Sequence, residues 1–181
     1  VTTVPTQNCV TQYCQCTDNP DGHVTAKCNI QRLEDLKSYI MTPGNVSSLD
    51  LSSSQISRIP NGAFVGFDNL VNLSIANNDI EQIDNQSFEG LSSLQKLDLK
   101  HNKLKIWHGD LKNHLPRLSD IDVTGNVTWL PSRNLLELPS LQIIRGVSWS
   151  EACDGCVLVR NNSQQEKEMI ENFKKGEFFE G

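Results

Sequence analysis

Apolar residues return every 24 positions through the middle of this 181-residue chain, and that interval restricts the fold more than any other feature. A template of Leu70, Leu73, Ile75, Asn78, Ile80, Ile83, Phe88 and Leu91 reappears 24 residues later as Leu94, Leu97, Leu99, Asn102, Leu104, Trp107 and Leu115. The Phe88 slot becomes Lys112, with Leu111 beside it as the substitute. One period earlier stand Val46, Leu49, Leu51, Ser54, Ile56, Ile59, Phe64 and Phe67. A fourth copy begins at Leu118 with Ile121, Val123 and Asn126, then loosens through "VTWLPSRNLLELPS" before a partial fifth copy at Leu141 and Ile144.

Each copy has a physical reading. Two apolar residues alternating with polar ones mark a short strand with one buried face. Asn78, Asn102 and Asn126 follow where the chain must turn, and an amide there can bond backbone groups of adjacent turns that would be costly to bury unpaired. Ser54 is the weaker form of that residue. One coil cannot bury its own apolar face, so the copies must stack into a curved solenoid with a parallel sheet on the concave side. Its ends need caps. The expected fold class is therefore α/β, with residues 1–45 as a cysteine-rich N-terminal cap, 46–147 as repeats and 148–181 as a C-terminal cap.

Six cysteines sit at the ends: Cys9, Cys14, Cys16 and Cys28 before the repeats, Cys153 and Cys156 after them. Four cysteines alone permit three pairings. Five N-x-S/T sequons, at Asn45, Asn72, Asn85, Asn126 and Asn161, join the cysteines in pointing to an oxidising, extracellular setting. A net charge of −6 without clustered Lys and Arg argues against nucleic acid as a partner. No stretch is long and apolar enough to span a bilayer, so membrane attachment is expected only through segments absent from this chain.

The pattern L-x-x-L-x-L-x-x-N-x-L, carried in full by "LQKLDLKHNKL", resembles the extracellular leucine-rich repeat family. The group includes Toll-like receptors, Slit proteins, Trk-type ectodomains and the lamprey variable lymphocyte receptors. "CVTQYCQCTDNPDGHVTAKC" resembles that family's N-terminal cap, which implies pairing of Cys9 with Cys16 and Cys14 with Cys28. The segment from Cys153 onward, with a helix expected over 163–174 between Ser163 and Gly176, resembles the start of its C-terminal cap. It departs from that cap in its C-x-x-C spacing and in having no later cysteine. Cys153 and Cys156 either pair locally or have partners past Gly181.

The resemblance implies a ligand-recognition module, and the expected function is an extracellular protein-binding ectodomain, or part of one, of a cell-surface receptor. The alternatives are a freestanding secreted recognition or inhibitory glycoprotein, as in immunity, and a self-associating adhesion module that forms homodimers. No catalytic residue, cofactor or metal is expected. His23, His101, His108 and His114 match no zinc spacing. "DIDVTG" at 120–125 imitates a calcium loop, but Pro131 stands where its last ligand belongs. The C-x-x-C lacks the βαβ context of a redox site.

The outward residues around each strand are Ser48, Asp50 and Ser52; Asn72, Ser74 and Ala76; Lys96, Asp98 and Lys100; Asp120, Asp122 and Thr124. Strand spacing stacks them into columns about 4.8 Å apart. Lys96, Asp98, Lys100, His101, Asp120 and Asp122 form the candidate protein-binding patch, against the plain alternative of a solvated sheet face. Asn45, Asn72, Asn85 and Asn161 are the expected glycan acceptors, Asn72 alone on the concave face, where a sugar would discourage binding to the first half. Asn126 fills a buried slot, so its sequon is expected to be unused. Trp107 reads as core, while Trp129 and Trp149 are reserve candidates for a site elsewhere.

Overall fold

A computed structural model describes residues 8–10, 12–107, 111–126 and 133–147. In chain order the strands are β1 (Cys14–Asp18), β2 (Val24–Cys28), β3 (Val46–Asp50), β4 (Asn72–Ser74), β5 (Gln82–Ile83), β6 (Lys96–Asp98), β7 (Ile106–Trp107), β8 (Asp120–Asp122) and β9 (Ile143–Arg145). Two single-turn helices, α1 (Leu36–Tyr39) and α2 (Arg133–Leu136), complete the regular elements apart from two short 3-10 turns.

A seven-stranded sheet runs β1-β2-β3-β4-β6-β8-β9, and a small β5-β7 pair forms a second sheet. Among the named strands β1 and β2 pair antiparallel and the other pairs are parallel, as stacked coils of one hand require. The fold is thus a leucine-rich repeat solenoid with a disulfide-bonded cap. The register sets Leu49 beside Leu73, Leu73 beside Leu97, Leu97 beside Ile121 and Ile121 beside Ile144, and all five are buried. A second row, Leu51, Ile75, Leu99 and Val123, is buried just past the strand ends.

The cap does more than cover the end. Its β2 pairs in parallel with β3, so the cap continues the solenoid's sheet, and β1 folds back on β2 to close it. Alternate burial along "VTAKC" lets Val24, Ala26 and Cys28 extend the core. Disulfides join Cys9 to Cys16 and Cys14 to Cys28.

The turn after each strand obeys the same period. Asn78 is buried and its Oδ1 accepts the backbone N–H groups of Ser54 (3.0 Å) and Ile56 (2.9 Å). Its Nδ2 donates to the carbonyls of Leu51 and Ile75 at 3.0 Å. Asn102 repeats this one coil on, taking Ile80 N–H and donating to Ile75 and Leu99; Asn126 takes Leu104 N–H and donates to Leu99 and Val123. Ser54 fills the slot at the cap boundary, where its hydroxyl donates to the Cys28 carbonyl. Immediately before this row, Ser53, Asn77, His101 and Gly125 all have left-handed φ, from 51° to 83°. That conformation costs a residue with a Cβ about 1 kcal/mol. It turns the N–H groups of Ser53, Asn77 and His101 onto the carbonyls of Ala76, Lys100 and Thr124, so the ladder runs on past the strands.

On the convex side Phe67, Phe64, Phe88 and Trp107 touch in series, with ring centroids 6.3, 6.3 and 5.8 Å apart. Leu111, next to the lost Phe88 slot in the sequence, is buried as well. Ser87 is buried there too; its hydroxyl accepts Asp84 N–H and donates to the Ile59 carbonyl. The coils meet so tightly that Gly90, at φ 97°, would place a Cβ 2.7 Å from Phe64 O and 2.8 Å from Val65 Cα. Gly90→Ala is expected to lose about 2–4 kcal/mol through left-handed strain plus overpacking, read from a urea midpoint at constant slope.

Candidate functional site

The concave face is lined by strand residues whose side chains point away from the core, from Ser48 and Asp50 on β3 to Asp122 on β8 and Arg145 on β9. Two columns cross it. One runs Thr25, Ser48, Asn72, Lys96, Asp120, Ile143; the other runs Lys27, Asp50, Ser74, Asp98, Asp122, Arg145. Lys96, Asp98, Lys100, Asp120 and Asp122 line one shared concavity, as the repeat spacing predicts. His101 is exposed at the left-handed turn beyond β6, with its ring against Gly125.

The aspartates of the second column have a local job. Asp50 Oδ1 accepts the N–H of Ser52 at 2.9 Å, Asp98 Oδ1 that of Lys100 at 3.0 Å, and Asp122 Oδ1 that of Thr124 at 3.1 Å. Each carboxylate thereby ties down the backbone two residues on, a local bond that Asp makes well. Their second oxygens face outward: Lys27 Nζ lies 3.4 Å from Asp50 Oδ2, and Lys100 Nζ lies 3.4 Å from Asp98 Oδ2, to which Ser74 Oγ also donates at 3.3 Å. Arg145 Nη1 pairs with Asp120. Asp122 has no cationic partner among the described residues, and Lys96 no anionic one.

Asp50 illustrates the balance of effects. Burial pushes its carboxyl up, but the Ser52 hydroxyl and N–H and the Lys27 ammonium outweigh burial and hold it below the ordinary 3.8. A depressed folded value gives stability that is present above the unfolded value and is lost as pH falls through the folded one. Asp50→Asn should therefore flatten the fall in stability that begins near 3.8 and completes below it, measured by urea unfolding across an acid pH series. An unchanged acid limb would show that Asp50 is not anchored in solution.

Two members of the face escape the repeat template. Lys27 arrives from the cap because β2 joins the sheet, and Arg145 arrives on β9, one residue out of period. Extending the column to residue 145 through the partial fifth copy would have found the arginine, so the columns do contain one residue of a type that favours hot spots. Ala76, expected to face outward, is buried, because a methyl group is too short to rise above the flanking turns. Trp107 is core, as expected.

The sequons separate by burial. Asn45, Asn72 and Asn85 are exposed, whereas Asn126 is buried with its amide fully engaged. Cys153, Cys156, Asn161, His108, Trp129, Trp149 and the helix expected over 163–174 lie outside the described residues. No helix among the described residues is long and apolar enough to cross a membrane.

Parallel coils of 24 residues, an asparagine ladder and a concave strand face define a repeat scaffold for recognition. Residues 44–104 and 68–127 match the family model described as "Leucine rich repeat", and the chain is a leucine-rich repeat protein. That scaffold is a protein-interaction module. No curated protein matches the chain. Among solved structures it is similar to human 5T4 (Wnt-activated inhibitory factor 1, trophoblast glycoprotein) at 23% identity and TM-score 0.56, covering 79% of this chain and 63% of that one. A chain of the Drosophila Toll–Spatzle complex is 27% identical at TM-score 0.51, over 57% of this chain and 14% of that one. A chain of the Drosophila melanogaster SNF/U2A' complex is 19% identical at TM-score 0.52, with 92% and 91% covered. The first and third likenesses concern the fold alone.

Proposed function

We propose that this chain is an extracellular protein-recognition module, the ligand-binding ectodomain, or part of one, of a cell-surface receptor. Its protein ligand docks on the concave face at Lys96, Asp98, Lys100, His101, Asp120 and Asp122. The observation that carries this reading is the state of the charges there. Carboxylates are fixed by their own backbone while Lys96 and Asp122 have no opposite charge among the described residues, so the face offers preset groups of both signs to a partner. The paired cysteines of the cap support an oxidising compartment. Likeness to a chain of the Toll–Spatzle complex supports a protein as the ligand.

The test is a screen of the multimerised protein against a panel of extracellular domains, repeated with Lys96→Glu and Asp98→Lys. Charge reversal at the contact should weaken the captured partner at least about tenfold and reduce the salt dependence of its association rate. Capture that is indifferent to both substitutions, with circular dichroism unchanged, would move the site off this face.

A further inference from the structure

We propose that Asn72 carries an N-linked glycan that covers the β3–β4 half of the concave face and leaves the β6–β9 half bare, so that glycan occupancy sets how much of the face a ligand can reach. This deepens the receptor reading above and rests on it for the secretory route. Among the described residues the concave face has its only sequon at Asn72, Leu73 and Ser74, on β4. Asn72 is exposed and lines the concavity, and no hydrogen bond from the described residues engages its amide. Its sheet neighbours are Ser48 on one side and Lys96 on the other. Its neighbours toward β3 and along its own strand, Ser48 and Ser74, are short, so a sugar there can lie toward Asp50 and Lys27. The charged groups without an opposite charge among the described residues, Lys96 and Asp122, lie on β6 and β8.

Asn126 shows the opposite case. In the transfer, the amide nitrogen attacks the anomeric carbon of a lipid-diphosphate-linked oligosaccharide; the C–N bond forms, the anomeric C–O bond to phosphate breaks, the lipid diphosphate leaves and the amide loses one proton. The product retains one N–H. Asn126 Nδ2 uses both of its hydrogens, on the carbonyls of Leu99 (2.9 Å) and Val123 (2.8 Å), in a side chain that is buried. A sugar at that nitrogen deletes one of these bonds and has no room between the coils, so folding and modification exclude each other at Asn126. Asn72 and Asn126 thus have opposite fates, decided by whether the asparagine is on the strand's outer side or in the ladder slot.

The experiment directs the full chain through a eukaryotic secretory pathway, releases glycans enzymatically in heavy-oxygen water, and maps the labelled sites by mass spectrometry. Label at Asn72 and none at Asn126 is the expected result; an unlabelled Asn72, or a labelled Asn126 in folded protein, overturns the proposal. Coverage is then read with a small amine-acylating ester. Lys27, paired with Asp50 at the β3 side of the face, should react several-fold faster in both Asn72→Gln and Ser74→Ala, which remove the sequon in different ways, while Lys103, paired with Asp79 elsewhere, keeps its rate. Equal Lys27 rates with and without the sugar would overturn the covering role. Occupancy and acylation need no ligand, so an unlabelled Asn72 with charge-sensitive partner capture sinks this proposal alone. A labelled Asn72 with charge-indifferent capture sinks the receptor-face reading alone.

Discussion

Asn102→Ala is expected to lower the unfolding free energy by about 3–5 kcal/mol, because it leaves the buried Ile80 N–H unpaired and removes one of the two amide donors to each of the Ile75 and Leu99 carbonyls. The side chain is 6% exposed and serves two coils at once. Its Oδ1 takes the Ile80 N–H at 3.1 Å, and its Nδ2 holds the Ile75 and Leu99 carbonyls at 2.9 and 3.1 Å. Alanine returns none of these bonds, and the pocket between coils is too shielded for water to replace all of them. Urea unfolding monitored by circular dichroism should show the midpoint falling steeply. Lys103→Ala, an exposed substitution next door, should stay within about 0.5 kcal/mol. Equal midpoints for the two variants would mean that the ladder does not hold the coils together.

Phe88→Ala should cost about 3–5 kcal/mol by a different route, a cavity in the convex aromatic row. Phe88 is 1% exposed, with Phe64 at 6.3 Å on one side and Trp107 at 5.8 Å on the other. Removing the ring strips a face from both neighbours and cannot be repaired by collapse, because the ladder pins the coil spacing on the opposite side. Trp107 supplies a second readout: its emission should move to longer wavelength as water enters. A small loss with unchanged emission would indicate that neighbouring coils close the gap.

How much of this could be read from residues alone follows from what each position depends on. Leu73, Leu97 and Ile121 declare themselves because burial repeats every coil and tolerates little but an aliphatic side chain. Asn78, Asn102 and Asn126 do so because their bonds are the same in each copy. The cap strand Val24–Cys28 was not visible as part of the sheet, since "VTAKC" lacks the spacing of the repeats and shows its register only when it meets β3. Arg145 was missed because the fifth copy is one residue short, with Gly146 where the pattern calls for an apolar side chain. In the sequence the aspartate column shows only as charge for a partner; that each carboxylate first satisfies the N–H two residues on is a fact of turn geometry. The Lys96 and Asp122 roles depend on which charges remain after local pairing, which requires coordinates.

The register that places Lys27 at one margin of the face and Arg145 at the other has a metric consequence. Every coil inserted between β3 and β8 would push those two cations apart by a fixed increment of about 4.8 Å, without disturbing any bond inside a coil. A lineage built on this plan could match footprints of different width by duplicating or deleting whole 24-residue units, much as a ruler is lengthened by adding graduations.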